Sequence, residues 1–155
     1  MDFLDEYNTI EGELLELAII EKNPGNDKEI PFYWYNILLK ETKEIIGQIS
    51  LRVGKNYHSY YNGNVGYYIE EEFRGHSYAF MATKMLFPLA LAHQQTELYL
   101  CCNEDNVPSY KTIKKLGGVL VETVQPPKDY FGYYEGMPKQ AIFVLKIQYY
   151  KEKEL

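Results

Sequence analysis

Cysteine is nearly missing from this sequence. Its 155 residues hold two, Cys101 and Cys102, side by side. Neighbours on a strand point to opposite faces, and no second pair exists. A disulfide framework and a zinc knuckle are therefore excluded, and no metal site is expected. Long apolar runs are missing too. The richest stretch, Ala79 to Ala92, is interrupted by Thr83, Lys84 and Pro88, so no membrane-spanning helix and no membrane partner are expected. The chain opens on Asp2, Asp5 and Glu6 rather than on the basic-then-apolar pattern of a secretory signal. These absences point to a soluble protein of the reducing cytoplasm. Positive charge is also scarce: 16 Lys and Arg stand against 22 Asp and Glu, a net charge of −6. Nucleic acid is not expected as a partner, because phosphate contacts need a basic face. An acidic cofactor needs only a local cluster of donors and is not excluded.

What is present is ordinary globular composition, 46% hydrophobic and 25% charged, suited to one domain with a packed core. The departure is 16 Tyr against 7 Phe. Tyr adds a polar tip to apolar area. The excess reads either as a core or cleft rimmed with hydroxyls or as an ordinary hydrophobic complement spelled with Tyr. Nothing in the sequence bears on oligomeric state.

Glu13 to Glu21 is apolar between charges and holds Ile19-Ile20. It reads as a strand ending at the turn Asn23-Pro24-Gly25-Asn26-Asp27. Phe32 to Lys40 and Ile45 to Val53 read as an antiparallel hairpin. Gly54 to Gly63 reads as a polar, Tyr-rich loop, and Asn64 to Glu70 as a strand. His76 to His93 carries apolar residues at helical spacing, with a kink expected at Pro88, which cannot donate to the carbonyl of Lys84. Glu97 to Cys102 is a strand. Asn106 to Leu116 is a helix stopped by Gly117-Gly118. Val119 to Val124 is a strand, Gln125 to Lys139 a loop and Ala141 to Tyr150 the closing strand. The order predicts a mixed α/β (α+β) fold with a parallel crossover around the long helix.

Two segments carry candidate chemistry. Glu72 to Ala79, E-F-R-G-H-S-Y-A, joins a strand to a helix. The first helical amides lack intrachain partners, and the helix dipole adds roughly half a positive charge. Gly75 admits a ligand close to the backbone, and Arg74 supplies a fork of donors. A phosphate or pyrophosphate suits such a turn; a plain strand-to-helix turn is the alternative. No Walker loop and no G-x-G-x-x-G is present. The second segment is Asn103 to Tyr110, N-E-D-N-V-P-S-Y, leading into K-T-I-K-K-L-G-G. Asn106 suits an N-cap and Pro108 the first turn, so plain capping competes with a ligand-binding role.

Val65 to Ile69 (V-G-Y-Y-I) together with these two segments resembles the GNAT superfamily of acyl-CoA-dependent N-acetyltransferases. The family's pyrophosphate motif, Q/R-x-x-G-x-G/A, falls on Glu72 to Ser77. Gly75 matches, and Glu72 and Ser77 depart from it. The family's later pattern is matched by Asn106, Ser109, Lys115 and Gly117. Element order agrees from about Phe32 to Tyr150. Where the family places one or two helices between its first two strands, only Asn23 to Pro31 is available here. The resemblance implies a central, mostly antiparallel sheet with flanking helices and a parallel, splayed strand pair that opens a V-shaped cleft. It implies acetyl-CoA as cosubstrate and an amine-bearing acceptor. Backbone groups of Tyr67, Tyr68 and Ile69 would meet the pantetheine. Amides of Arg74, Gly75, His76, Ser77, Tyr78 and Ala79 would hold the pyrophosphate. Asn106, with Ser109 on the same turn, would take the pantetheine arm.

The chemistry so implied is direct attack of a neutral amine on the thioester. Family members often protonate the leaving thiolate with a Tyr four residues after the Ser. That position is Ile113 here, and Tyr110, one turn earlier, is the substitute. Glu70 is the first candidate for the base, with Glu71 behind it; a solvated charge run is the alternative. A backbone amide near Ile69 would meet the oxyanion. A catalytically silent acyl-CoA-binding or regulatory domain is the competing reading, because Ile113 cannot donate a proton. His58 reads as an exposed loop residue and His76 as part of the first helical turn. Arg52 reads as a surface ion pair or as a contact for an acidic substrate group. Cys101 and Cys102 read as small buried hydrophobes.

Overall fold

Alternation of apolar and polar residues builds the first sheet. The computed structural model describes residues 1–148. In it Thr9–Glu11 (β1), Leu15–Asn23 (β2), Phe32–Leu39 (β3), Ile45–Arg52 (β4) and Val65–Ile69 (β5) pair in that order. β3 turns Tyr33, Tyr35 and Ile37 inward, all fully buried, and leaves Trp34 and Asn36 half-buried on the other face. β4 repeats the pattern, with Ile49 and Leu51 inward and Gln48, Ser50 and Arg52 outward. The inward face joins one core with Tyr78–Met85 (α2) and Phe87–Ala92 (α3) through Ala82, Leu86 and Leu89. The segment 24–31, where the resemblance allows helices, holds none; Asn23 and Asn26 side chains turn it by accepting from the amides of Gly25, Lys28 and Glu29.

A second sheet has the order β6-β8-β7, formed by Glu97–Asn103 (β6), Val119–Val124 (β7) and Gln140–Lys146 (β8). Val107–Leu116 (α4) adds Ile113 and Leu116 to the same core as Phe143 and Leu145. The closing strand expected to reach Tyr150 ends at Lys146, and Tyr149, Tyr150 and the charged tail lie outside the described residues.

The parallel, splayed pair expected of β5 and β6 forms no hydrogen-bonded ladder. Every pairing in both sheets is antiparallel. Just before β5 the chain meets β6 at one point, where the Asn64 amide donates to the Tyr99 carbonyl at 2.6 Å. The reason is the fully buried Asn64 side chain. Its Nδ2 donates to the carbonyls of Arg52 at 2.9 Å and Gly54 at 3.0 Å, and its Oδ1 accepts from the Tyr99 amide at 2.8 Å. Gly63 has φ +81°, and a Cβ there would sit 3.2 Å from the Tyr99 carbonyl oxygen. Glycine therefore lets the two chains touch, and asparagine pins them. Past that pin β5 and β6 form no ladder.

The expected long helix is two helices, α2 and α3, joined at Leu86, with Pro88 in the first turn of α3 where its missing amide costs little. It begins two residues late because Gly75 (φ +88°) and Ser77 (φ +63°) are left-handed. The expected loop at 54–63 contains a short helix, Tyr57–Asn62 (α1). Asn56 and Ser59 cap it reciprocally: the Ser59 amide donates to Asn56 Oδ1 at 2.7 Å, and the Asn56 amide to Ser59 Oγ at 2.8 Å. Among the described residues no helix is long and apolar enough to cross a membrane.

Candidate active site

Beyond the Asn64 pin, a cleft of about 310 Å³ lies between β5 and β6. Gly66 and Tyr67 line it from β5, and Cys101, Cys102 and Asn103 from β6. Asn106 and Ser109 reach it from the start of α4, and Tyr130 and Met137 from the loop 125–139. Arg52 lines it as well.

The free edge of β5 faces away from β4. The Arg52 amide donates to the Asn64 carbonyl and the Glu70 amide to the Ile46 carbonyl. Between those bonds Gly66 and Tyr68 oppose Ser50 and Gln48. Backbone groups alternate along an antiparallel strand, so those of Gly66 and Tyr68 are used by β4, and those of Tyr67 and Ile69 point to the opposite edge. Tyr67 and Ile69 thus present backbone groups on the free edge. Tyr68 does not; its side chain lies outside, 51% exposed, with the Arg74 guanidinium over its ring.

The turn after β5 also divides its expected donors. The Arg74 amide is taken by the Glu71 carbonyl at 3.2 Å, and Arg74 Nε donates to the Ile69 carbonyl at 2.8 Å. Among the described residues the amides of Gly75, His76, Ser77, Tyr78 and Ala79 make no hydrogen bond. No side chain caps α2, and a Cβ built on Gly75 meets nothing within 4 Å. The loop is an open cradle of five donors. His76 precedes the helix and stacks on Tyr78 at 5.3 Å.

Asn106 caps α4, its Oδ1 accepting from the Ser109 amide at 3.3 Å, which leaves its Nδ2 free to donate. Tyr67 Oη donates to Ser109 Oγ at 3.2 Å. Burial raises the Tyr67 pKa, so the phenol holds its proton and the Ser109 hydroxyl proton is free to point into the cleft. Tyr110 does not line the cleft; its ring packs edge-on against Phe143 at 5.0 Å. Ile113 is 1% exposed, in the core. Glu70 is exposed, meets Tyr68 Oη at 3.4 Å, and does not line the cleft.

The two cysteines are free thiols whose protons are held tightly. Burial pushes Cys101 up to about 12 and Cys102 up to about 11, so neither is a thiolate at neutral pH. His58 is half-buried and pins the loop 125–139 to α1, its Nδ1 accepting from the Phe131 amide at 3.0 Å. Rings of Tyr61 and Tyr130 meet at 5.7 Å beside the cleft. The tyrosine excess therefore divides: Tyr33 and Tyr35 are core residues with bonded hydroxyls, and others wall the cleft.

The profile of the acetyltransferase (GNAT) domain matches residues 9–119, more than two-thirds of the chain. The chain belongs to the GNAT acetyltransferase family. The family uses acetyl-CoA, so acetyl-CoA is the cosubstrate. Solved GNAT structures share the fold. The chain is similar to ribosomal-protein-S5-alanine acetyltransferase from Vibrio fischeri at 14% identity and TM-score 0.66, over 92% of this chain and 98% of that one. It is similar to a GNAT-family acetyltransferase from Bacillus anthracis at 12% identity and TM-score 0.64, over 89% and 98%. A third is the microcin C7 self-immunity acetyltransferase MccE in complex with acetyl-CoA and AMP, at 21% identity and TM-score 0.57, over 75% and 61%. A search of curated proteins finds no match.

The chemistry of the cleft and the turn beside it fits acetyl-CoA: unpaired amides suit phosphate, and a free strand edge and a side-chain amide suit pantetheine. Two residues that shape the cleft were not assigned these roles from sequence. Asn64 pins the strands, and the Tyr67 side chain bonds Ser109. Asn64 had a signal, as an asparagine directly after Gly63 at the start of a strand. Nothing local marks the other. Arg52, read as a surface ion pair or a contact for an acidic substrate group, lines the cleft and makes no ion pair among the described residues.

Proposed function

We propose that this chain is a cytoplasmic enzyme, one acetyltransferase domain, that moves the acetyl group of acetyl-CoA directly to an amine. The observation that carries this reading is the cleft itself. It offers a strand edge for pantetheine and a paired hydroxyl at Ser109, and both its thiols are held protonated. A route through an acetyl-cysteine needs a thiolate, so direct transfer is favoured.

In the reaction the amine nitrogen forms a bond to the thioester carbon. The tetrahedral oxyanion is met by the Ile69 or Tyr67 amide on the free edge. The carbon–sulfur bond breaks, and the departing coenzyme A thiolate accepts a hydrogen bond from the Ser109 hydroxyl, which Tyr67 orients, and takes its proton from water. The nitrogen loses its proton to Glu70. That carboxylate lies beside Tyr68 outside the cleft, so the proton travels through water. Ser109 replaces Tyr110 as donor because Tyr110 faces Phe143.

Coenzyme A release with a panel of amines tests the reading, and a silent acyl-CoA-binding domain would bind the cosubstrate without turnover. Ser109→Ala should lower turnover about tenfold or more with acetyl-CoA affinity held. An unchanged rate there, with loss in Tyr110→Phe, would return the donor role to Tyr110.

A further inference from the structure

Arg52 stands where two hollows meet. One is the cleft; the other, about 290 Å³, is bounded by Glu21, Glu29, Phe32, Trp34 and Ser50. Among the described residues Arg52 is the one charged side chain lining the cleft. Its Nη1 donates to the Gly63 carbonyl at 3.1 Å, one use of a five-donor fork. No carboxylate lies within 4.0 Å of it among the described residues, where the ion pairs are Lys22–Asp5 and Lys43–Glu16. Burial lowers its pKa, with Glu29 opposing, yet a guanidinium keeps its proton. A partly desolvated guanidinium with no carboxylate in contact is costly, and an anion would complete it.

Its position limits what that anion belongs to. A Cβ on Gly66 would lie 3.4 Å from Arg52 Nη2, so the guanidinium lies against the strand one residue before Tyr67. The turn at 75–79 lies past the other end of β5, which itself ends roughly 10 Å from Gly66 at strand rise, so Arg52 is not placed for the coenzyme's pyrophosphate. In the second hollow Glu21 and Glu29 repel anions. On the cleft side Tyr61, Asn62, Tyr130 and Gln140 are neutral.

We propose that Arg52 receives the anionic group, a carboxylate or a phosphate, of a small acceptor whose amine lies only a few atoms away. This rests on the acetyltransferase reading above. The acceptor enters with its anion on the guanidinium and its amine toward Tyr67 and Ser109, beside the rings of Tyr61 and Tyr130.

The test measures coenzyme A release with acetyl-CoA and matched acceptor pairs. Amino acids are set against their amides, and aminoalkyl phosphates against the amino alcohols. The anionic member of at least one pair should exceed its neutral partner in kcat/KM by about tenfold or more, and the pair that responds tells carboxylate from phosphate. R52Q should erase that preference and R52K keep part of it, each with acetyl-CoA affinity unchanged by calorimetry. The wild-type comparison stands even where R52Q fails to fold. Neutral acceptors equal to or better than anionic ones, no response to any anionic member, or equal losses on both in R52Q would overturn the proposal. No acetyl-CoA binding by the wild type overturns the acetyltransferase reading itself, and this proposal with it.

Discussion

Replacing Asn64 with Ala removes the pin between the two sheets. Three side-chain bonds are lost, at 2.8 to 3.0 Å. The Gly54 carbonyl keeps a partner in Gln95 Nε2 at 3.3 Å. The Tyr99 amide loses its side-chain acceptor and the Arg52 carbonyl its donor, at a site with no solvent exposure. Each orphaned buried group costs roughly 1–3 kcal/mol, so Asn64→Ala should lose about 3 kcal/mol. Urea unfolding at 25 °C reads this as a lower midpoint with unchanged slope. Asn36→Ala is the control. Asn36 accepts one 3.3 Å bond from Gln48 on the outer face and should cost under about 0.5 kcal/mol. The two strands also set the width of the cleft, so acetyl-CoA affinity should fall with stability in Asn64→Ala and hold in Asn36→Ala. A loss at Asn64 below about 0.5 kcal/mol, with affinity unchanged, would refute the pin.

Gly75→Ala places a Cβ in open space at φ +88°; it should cost about 1 kcal/mol from the left-handed backbone and weaken acetyl-CoA binding about tenfold, by calorimetry. Equal affinity would remove the loop from the site. Asn106→Ala loses a cap worth about 1 kcal/mol and should weaken acetyl-CoA as well; stability loss alone would leave only the cap. Cys101 and Cys102 hold their protons to about 12 and about 11, against an ordinary value of 9.0. Above pH 9 the fold therefore binds more protons than the unfolded chain, and this contribution to stability, whole below pH 9, is lost as pH rises through 9 to 12. Alkylation of the native protein by iodoacetamide at pH 8 should run far slower than that of a free cysteine, and equal rates would contradict the burial.

Strands and the α4 cap were legible because their signals are local: alternation in 32–39 and 45–52, and an Asn before a Pro-containing first turn. An interruption near Pro88 was legible for the same reason, since a missing amide acts on its own helix, but the break itself lies at Leu86. That the splayed pair forms no ladder could not be read, because strand order does not show that one buried asparagine makes the contact between the two strands. α1 went unread because Asn56 and Ser59 cap a helix of six residues, too short for periodicity to register. At the site, motif spacing singled out the turn at 72–79, whose amides at 75–79 are unpaired among the described residues, and the Asn106 cap. It could not separate Tyr67 from Tyr68, which differ only in the face they present, nor show that Tyr110 turns to Phe143. Those are outcomes of packing between segments more than thirty residues apart.

The central claim is that acetyl-CoA lies between β5 and β6 and gives up its acetyl group directly. A crystal structure with acetyl-CoA bound tests it most directly. The account predicts the pyrophosphate on the amides of 75–79, the pantetheine along Tyr67 and Ile69 with Asn106 donating to it, and the thioester sulfur beside Ser109 Oγ. Coenzyme bound elsewhere, or an acetyl group carried on Cys101 or Cys102, would contradict it.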